Sequence, residues 1–424
     1  MKLNPNPTNI YLFIEIVASA IFPMIFVASS LYQVTTAGLS PLQLVLIGTT
    51  LECSAFVFEI PTGVIADTYS RKLSIIIGYS LMGVGFFVEG SFPAFFPILV
   101  AQVIWGLGYT FTSGATQAWI SDEIGEEEAN KLFLRATRVG LYASLLGMAL
   151  AAVIGGGNVS LPIRWGGLGL ILLSIMLIFL MTETGFQPTP REDRNTWEHM
   201  FHTFREGIVA VRSRPRLFSI FGIGLFYGLY SEGFDRLWVK HIVDTFELPA
   251  LFIGSQVAFF SALRAVGTIA TIIVMRSIER SLDTTKPRAI GRAMFLVTGA
   301  ISASLFGFAL SPVLGLALIA YLLLNVLRTI AIPMYTSWVN QKLDPETRAT
   351  VLSMSSQVDA MGQILGGPGV GLIAKMVSVV AALLTSGLLL APALLLIKRA
   401  NAQFGAPQDS VPREYEIDFP PRVS

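Results

Sequence analysis

Nine ionisable side chains interrupt stretches of this chain that are otherwise apolar: Glu15, Glu52, Glu59, Glu232, Asp235 and Asp359, against Arg264, Arg328 and Arg236 near one end of its run. A charge at the centre of a bilayer-spanning helix costs about 2.5–3.5 kcal/mol on insertion scales, so such residues point to function. Two kinds of chemistry are open to them. A carboxyl beside an arginine fixes helix packing, and Asp359 with Arg264 or Arg328 is expected to form such a pair. A carboxyl without a base keeps its proton more readily, because burial favours the neutral form, and can release it when water arrives. Acids outnumber bases, so some must be of the second kind. Glu15, Glu52, Glu59 and Asp359 are the candidates for proton exchange, Glu15 and Glu52 foremost, since their half of the chain holds no intramembrane base. By helical rise of about 1.5 Å per residue, Glu52, Arg264, Arg328 and Asp359 lie nearest the midplane.

The elements that must position these groups are membrane helices. The chain has 424 residues, 53% hydrophobic and only 13% charged, with mean hydropathy +0.65; a soluble protein carries about twice that charged fraction. Apolar runs fall at 10–34, 41–66, 73–92, 95–121, 132–156, 161–182, 216–240, 250–275, 289–310, 312–341, 349–374 and 377–397, each long enough to cross. Lys and Arg gather in alternate connections, from Lys2, Arg71 and Lys72 to Lys398 and Arg399, which sets both termini in the cytoplasm. The first run is too long, and too closely followed by others, for a cleavable signal. Cys53 is the only cysteine, so no intrachain disulfide forms.

The chain divides into a six-helix bundle over 1–183, a linker over 184–215, a second bundle over 216–399 and a disordered, Pro-rich tail over 400–424. In the linker, Trp197, Phe201, Phe204, Ile208 and Val211 share one side of a helix suited to the inner membrane surface. His199 and His202 in the same stretch read as a solvated face rather than a metal site. An internal repeat supports the division. Trp119 precedes the fifth run as Trp338 precedes the eleventh, and at the same offset Gly147 falls opposite Gly366.

A charged elbow joins the second and third runs, with the pattern Gly63-x-x-x-Asp67-x-x-x-Arg71-Lys72. Together with the twelve runs, the inside termini and the repeat, it resembles the major facilitator superfamily of secondary transporters over residues 8–400. Thr68 and Ser70 stand where that pattern usually has a basic residue and a Gly. FEIPTGVIAD, Gly106–Thr116 and the glycines from Gly362 to Gly371 look like the drug-efflux branches, particularly the macrolide and tetracycline exporters. The resemblance implies an all-α integral membrane protein of twelve transmembrane helices in two pseudo-symmetric six-helix bundles. It also implies that Gly63, Asp67, Arg71 and Lys72 form a conformational lock against the start of the eleventh helix. Helices 1, 4, 7 and 10 then line the cavity, which makes Glu15, Ser19, Phe22, Tyr109, Thr112, Thr116, Tyr227, Tyr230, Asn325 and Arg328 candidate cavity residues. Tyr109, Thr112 and Thr116 are expected on one helical face. Two departures bear on coupling: Gln102 occupies the place where many proton-coupled members carry Arg, and the fifth helix has Gly140 and Gly147 but no antiporter proline.

The expected function is a proton antiporter exporting amphiphilic small molecules, a drug-resistance pump of the plasma membrane that works as a monomer by rocking its two halves. A facilitator or symporter for a polar nutrient or metabolite is the alternative. Neither an enzyme nor an ATP-driven pump is expected. Gly-x-Ser-x-Gly, His-Glu-x-x-His and the P-loop pattern are missing, and the three histidines fall in or near loops. The expected partners are a small-molecule substrate, protons and the lipid bilayer, with no nucleic acid, metal or other cofactor.

Overall fold

Backbone polar groups inside a bilayer must be satisfied within the segment, which leaves the apolar runs no choice but helix. The computed structural model describes residues 6–188, 215–249, 255–281, 287–340 and 345–403. The expected linker helix, with Trp197, His199 and His202, and the expected disordered tail beyond residue 403 lie outside the described residues.

The helices are α1 (Pro7–Thr35), α2 (Pro41–Thr68), α3 (Arg71–Ser91), α4 (Phe95–Thr112), α5 (Ala115–Ile124), α6 (Glu126–Ile154) and α7 (Ser160–Leu180), then α8 (Pro215–Thr245), α9 (Gln256–Ser281), α10 (Pro287–Leu310), α11 (Leu314–Asn340), α12 (Pro345–Met376), α13 (Val379–Leu388) and α14 (Ala391–Gln403). Ten segments among the described residues are long and apolar enough to cross a membrane, and α8 and α12 complete twelve spans. Asn6 and Ser40 cap helices that begin on Pro7 and Pro41, where the missing N–H of proline is harmless.

Two spans are broken. The fourth divides into α4 and α5 at Ser113–Gly114, with Gly114 at φ +71°, a conformation that favours glycine. The twelfth divides into α13 and α14 just before Pro392, which has no N–H to continue the ladder.

The repeat read from the sequence appears as matched helix crossings. In the first half α1 packs on α6, α3 on α4 and α7, and α2 on α4. In the second half α8 packs on α12, α10 on α11, α13 and α14, and α9 on α11. Gly147 meets the Ala20 backbone, and Gly366 meets Leu229, so the paired glycines serve the same crossing in each half. Trp119 and Trp338 are both fully buried.

The halves meet through α2 with α12 and α6 with α9. These contacts gather at the end remote from the elbow: Gly367 against Thr49, Gly371 against Leu42 and Val45, and Gly155 against Val257. At the elbow end, Gly63 has no atom of the described residues within 4 Å of where a Cβ would stand. Among the described residues, the two halves close on each other at the end remote from the elbow.

A methyl at Gly366 would lie 2.6 Å from the Leu229 carbonyl oxygen, whereas one at Gly369 would meet nothing within 4 Å. Gly366→Val should therefore destabilise the second bundle by about 1–3 kcal/mol, in the range of overpacked cores, and Gly369→Val should be neutral. Thermal unfolding in detergent checks this, and equal melting temperatures would refute the close crossing.

Candidate functional site

A cavity of about 520 Å³ opens in the second half, lined by α8, α11 and α12. Hydrogen bonds fix its tyrosines: Tyr227 Oη lies 2.6 Å from Thr298 Oγ1, and Tyr335 donates to the Ile220 carbonyl at 2.9 Å and lies 2.6 Å from Ser355 Oγ. Arg328 makes a two-pronged ion pair with Asp235, at 2.5 and 2.7 Å, and its guanidinium lies over the Tyr230 and Phe234 rings. Asp359 accepts from Gln363 at 2.9 Å. It has no ion pair among the described residues.

The expected pairing of Asp359 with Arg328 or Arg264 is thus corrected. Asp235, on α8, presents both oxygens to the fork of Arg328, a geometry one carboxylate can satisfy alone. Arg264 turns instead to the face of Trp238, 5.5 Å from the ring centroid.

A second, smaller cavity of about 230 Å³ lies between the halves and shares Asp235 with the first. Phe26, Phe86 and Trp105 form an aromatic cluster on one wall, and Trp238 stacked on Tyr321 forms the other. Asn325 lines this smaller cavity and donates to the Tyr321 carbonyl of its own helix at 2.8 Å.

Behind the first wall sits Glu89, which is 1% exposed. Ser29 and Gln33 of α1 donate to one of its oxygens, the latter at 2.8 Å, and Gln102 of α4 donates to the other at 3.1 Å. All three donors are neutral. Gln102, at the position where a permanent charge is usual, here serves as a hydrogen-bond donor to an acid. Sequence reading passed over Glu89 because it lies three residues from the end of its run. The signal available was the polar set Ser29, Gln33 and Gln102, which no spacing rule links across three helices.

The other first-half candidates are dispersed. Glu15 neighbours the Tyr11 hydroxyl. Ser19 packs at Gly140, and Phe22 stacks on Phe26. The expected face of Tyr109, Thr112 and Thr116 is interrupted by the break after α4: Tyr109 is exposed, Thr112 bonds the Tyr109 carbonyl, and Thr116 is buried. Glu59 accepts from Ser113 at that break, at 3.1 Å. Glu52 has no ion pair among the described residues and lies near the Glu232–Arg236 pair of α8, which is 2.9 Å long. That pair occupies the space left by Gly48, one turn before Glu52. One histidine departs from expectation: His241 is buried within α8, 3.2 Å from the Phe308 carbonyl.

The elbow is bolted to its own half. Ser70 caps α3 by accepting from the Leu73 amide at 2.9 Å, and its hydroxyl donates to Glu183 at 2.5 Å, so serine has a use where glycine is usual. Arg71 pairs with Asp122 of α5. Lys72 donates to the Met181 carbonyl at the end of α7, 2.7 Å away, where a helix end favours a cation. Asp67 is half exposed, with Arg71 at 3.9 Å. No group of three or more metal-binding side chains occurs among the described residues.

The family described as Major Facilitator Superfamily matches residues 10–367. The uncharacterized MFS-type transporter YxaM of Bacillus subtilis (strain 168) is 24% identical over 339 residues, covering 78% of this chain and 80% of that protein. The uncharacterized MFS-type transporter MJ1317 of Methanocaldococcus jannaschii is 25% identical over 129 residues, 29% of this chain and 31% of that one. A crystal structure of the nucleoside transporter NupG aligns with a TM-score of 0.72 at 15% identity, covering 95% of this chain and all of that one. The peptide transporter POT in complex with sulfate gives 0.67 at 14% identity, covering 93% and 96%. At these identities the structural likeness speaks for the fold alone.

Removing one partner of the Arg328–Asp235 pair strands a charge, while removing both does not. Exposed pairs contribute under about 1 kcal/mol and broken buried ones cost about 3–5. This pair is partly exposed, so a cycle of Asp235→Asn and Arg328→Gln should give a coupling of about 1–2 kcal/mol in unfolding stability. Strict additivity would show that the two do not depend on each other.

Proposed function

The chain belongs to the Major Facilitator Superfamily, a family of membrane transporters, and from that membership we propose that it is a secondary active transporter exporting amphiphilic small molecules by proton antiport. The observation that carries the substrate class is Asp359. It lies in a cavity walled by Tyr227, Tyr230 and Tyr335, beside an Asp235–Arg328 pair that already neutralises itself. A carboxylate left over among aromatic faces suits a cationic amphiphile, because rings attract cations through their quadrupoles. A polar nutrient or metabolite is the second reading, favoured by the Gln363 amide and the Ser355 and Tyr335 hydroxyls on the same walls, and consistent with the nucleoside and peptide transporters that share the fold. Counterflow of cationic dyes and of nucleosides in proteoliposomes, with and without a pH gradient, separates the two.

Transport proceeds by rocking of the two halves. The lysines and arginines of the elbow end assign that end to the cytoplasm, so the open cavity faces inward, and the contacts of α2 with α12 form the outer closure. In the opposite state, Gly63 and Asp67 receive the start of α12. On this reading Asp67→Asn or Gly63→Leu should slow turnover by about tenfold, as a penalty of about 1.4 kcal/mol on one state requires, with membrane insertion unchanged. Wild-type turnover in both variants would reduce the elbow to a topological signal.

Protons drive the cycle through carboxyls that lack a base: Glu15 and Glu52 first, with Glu59, Asp359 and now Glu89 beside them. Water entering on opening stabilises the ionised form, and closure favours the neutral one. Glu15→Gln, Glu52→Gln or Glu89→Gln imitates the protonated acid and removes its titration. The responsible variant should lose uphill, pH-driven export yet keep downhill exchange of substrate. If the singles and the triple all still concentrate substrate under an imposed pH difference, the proton is carried elsewhere, with Glu59 and Asp359 next to be replaced, or coupling is to another ion.

A further inference from the structure

We propose that the substrate is zwitterionic: its anionic group seats on Arg264 in the smaller cavity while its cationic group lies by Asp359 in the larger one. The proposal rests on the amphiphilic-cation reading above and adds the second pole. Pairing among the intramembrane charges leads to it. Glu232 takes Arg236, and Asp235 takes Arg328. Glu89 does not itself line either cavity; its three neutral donors, Ser29, Gln33 and Gln102, stand between it and the smaller one. Arg264 remains, with no carboxylate within ion-pair distance among the described residues. Its companions among the described residues are neutral: the Trp238 ring, 5.5 Å from the guanidinium, and the Tyr321 hydroxyl. A cation–π contact contributes about 0.5–2 kcal/mol, whereas withdrawing an ion from water costs several. Arg264 is therefore an undercompensated cation lining a cavity, and a planar guanidinium fork is built to take a carboxylate by two parallel bonds.

The two cavities carry opposite signs. The larger is lined by Asp235, Asp359 and Arg328, one negative charge in excess. The smaller is lined by Asp235, Arg236 and Arg264, one positive charge in excess. They adjoin at Asp235, so one molecule can reach both. Trp105 and Phe26 face Trp238 and Tyr321 across the smaller cavity, which suits a flat ring between the poles. Because those walls come from different halves, a ligand there touches both.

The test uses three probes matched in ring and size: L-tryptophan (zwitterion), tryptamine (cation) and indole-3-propionate (anion). Binding to the purified full-length protein is measured by calorimetry, on wild type and on Arg264→Gln, Arg264→Lys and Asp359→Asn. Wild type should bind tryptophan about tenfold tighter than either single-charged probe. Arg264→Gln should bring tryptophan down to the level of tryptamine without weakening tryptamine, and Arg264→Lys should retain part of the preference. Asp359→Asn should bring tryptophan down to the level of indole-3-propionate. The wild-type preference needs no variant to fold. Tryptamine binding as well as tryptophan would overturn the zwitterion and leave the cation reading standing. Preference for indole-3-propionate, or binding of none of the three, would overturn both.

Discussion

An ion inside a bilayer has no water to turn to, and this constraint orders most of what the structure does with its polar residues. Arg328 finds Asp235 and Arg236 finds Glu232. Each pair joins residues whose separate burial would cost several kcal/mol. Glu89 finds no ion among its hydrogen-bond partners and is held by two amides and a hydroxyl, an arrangement that stabilises a carboxylate without cancelling its charge. Of the intramembrane arginines, Arg264 has no carboxylate within ion-pair distance among the described residues, and it lies on a cavity wall, as Asp359 does. Those two charges stand where water or a ligand can reach them.

The second constraint is steric. Lipid provides no hydrophobic drive between helices, so association depends on close van der Waals approach at small residues. The glycines of α6 and α12 supply it at equivalent crossings, against α1 and α8. These crossings are internal to each half, and so are the bolts of the elbow, from Arg71 to Asp122 and from Lys72 to the end of α7. Each half is tied firmly within itself, as the proposed rocking of the two halves requires.

The span count, the duplication and the elbow were legible because they are patterns along the chain: hydropathy at a fixed length, Trp119 with Trp338, Gly147 with Gly366. Which charges meet was less so. Asp359 was the expected partner of Arg328 or Arg264, and the pairing of Arg328 with Asp235 instead turns on helix rotation and rotamer, which spacing alone does not encode. Glu89 was missed for a related reason. Position near the end of a run reads as proximity to water, yet its donors come from α1 and α4 and close over it. His241 escaped similarly: α8 extends beyond its apolar run, so a residue counted as loop is buried helix. The broken fourth span was more readable than it was read, since Ser113–Gly114 is an ordinary breaking signal.

The closure remote from the elbow has an energetic character that fits the proposed cycle. It includes Val45, Leu42 and Thr49 against glycines of α12, and Gly155 against Val257. The Thr49 hydroxyl is sealed there without a hydrogen-bond partner among the described residues, and a buried polar group left unsatisfied costs about 1–3 kcal/mol. Opening this end returns that cost as water arrives, and the same water reaches the neighbourhood of Glu52 and the Glu232–Arg236 pair. A contact with a built-in penalty is more readily exchanged for its counterpart at the elbow. A ligand that touches the walls of both halves can therefore decide the balance with a small difference in affinity between the two states, which is all that any ligand can contribute to a conformational equilibrium.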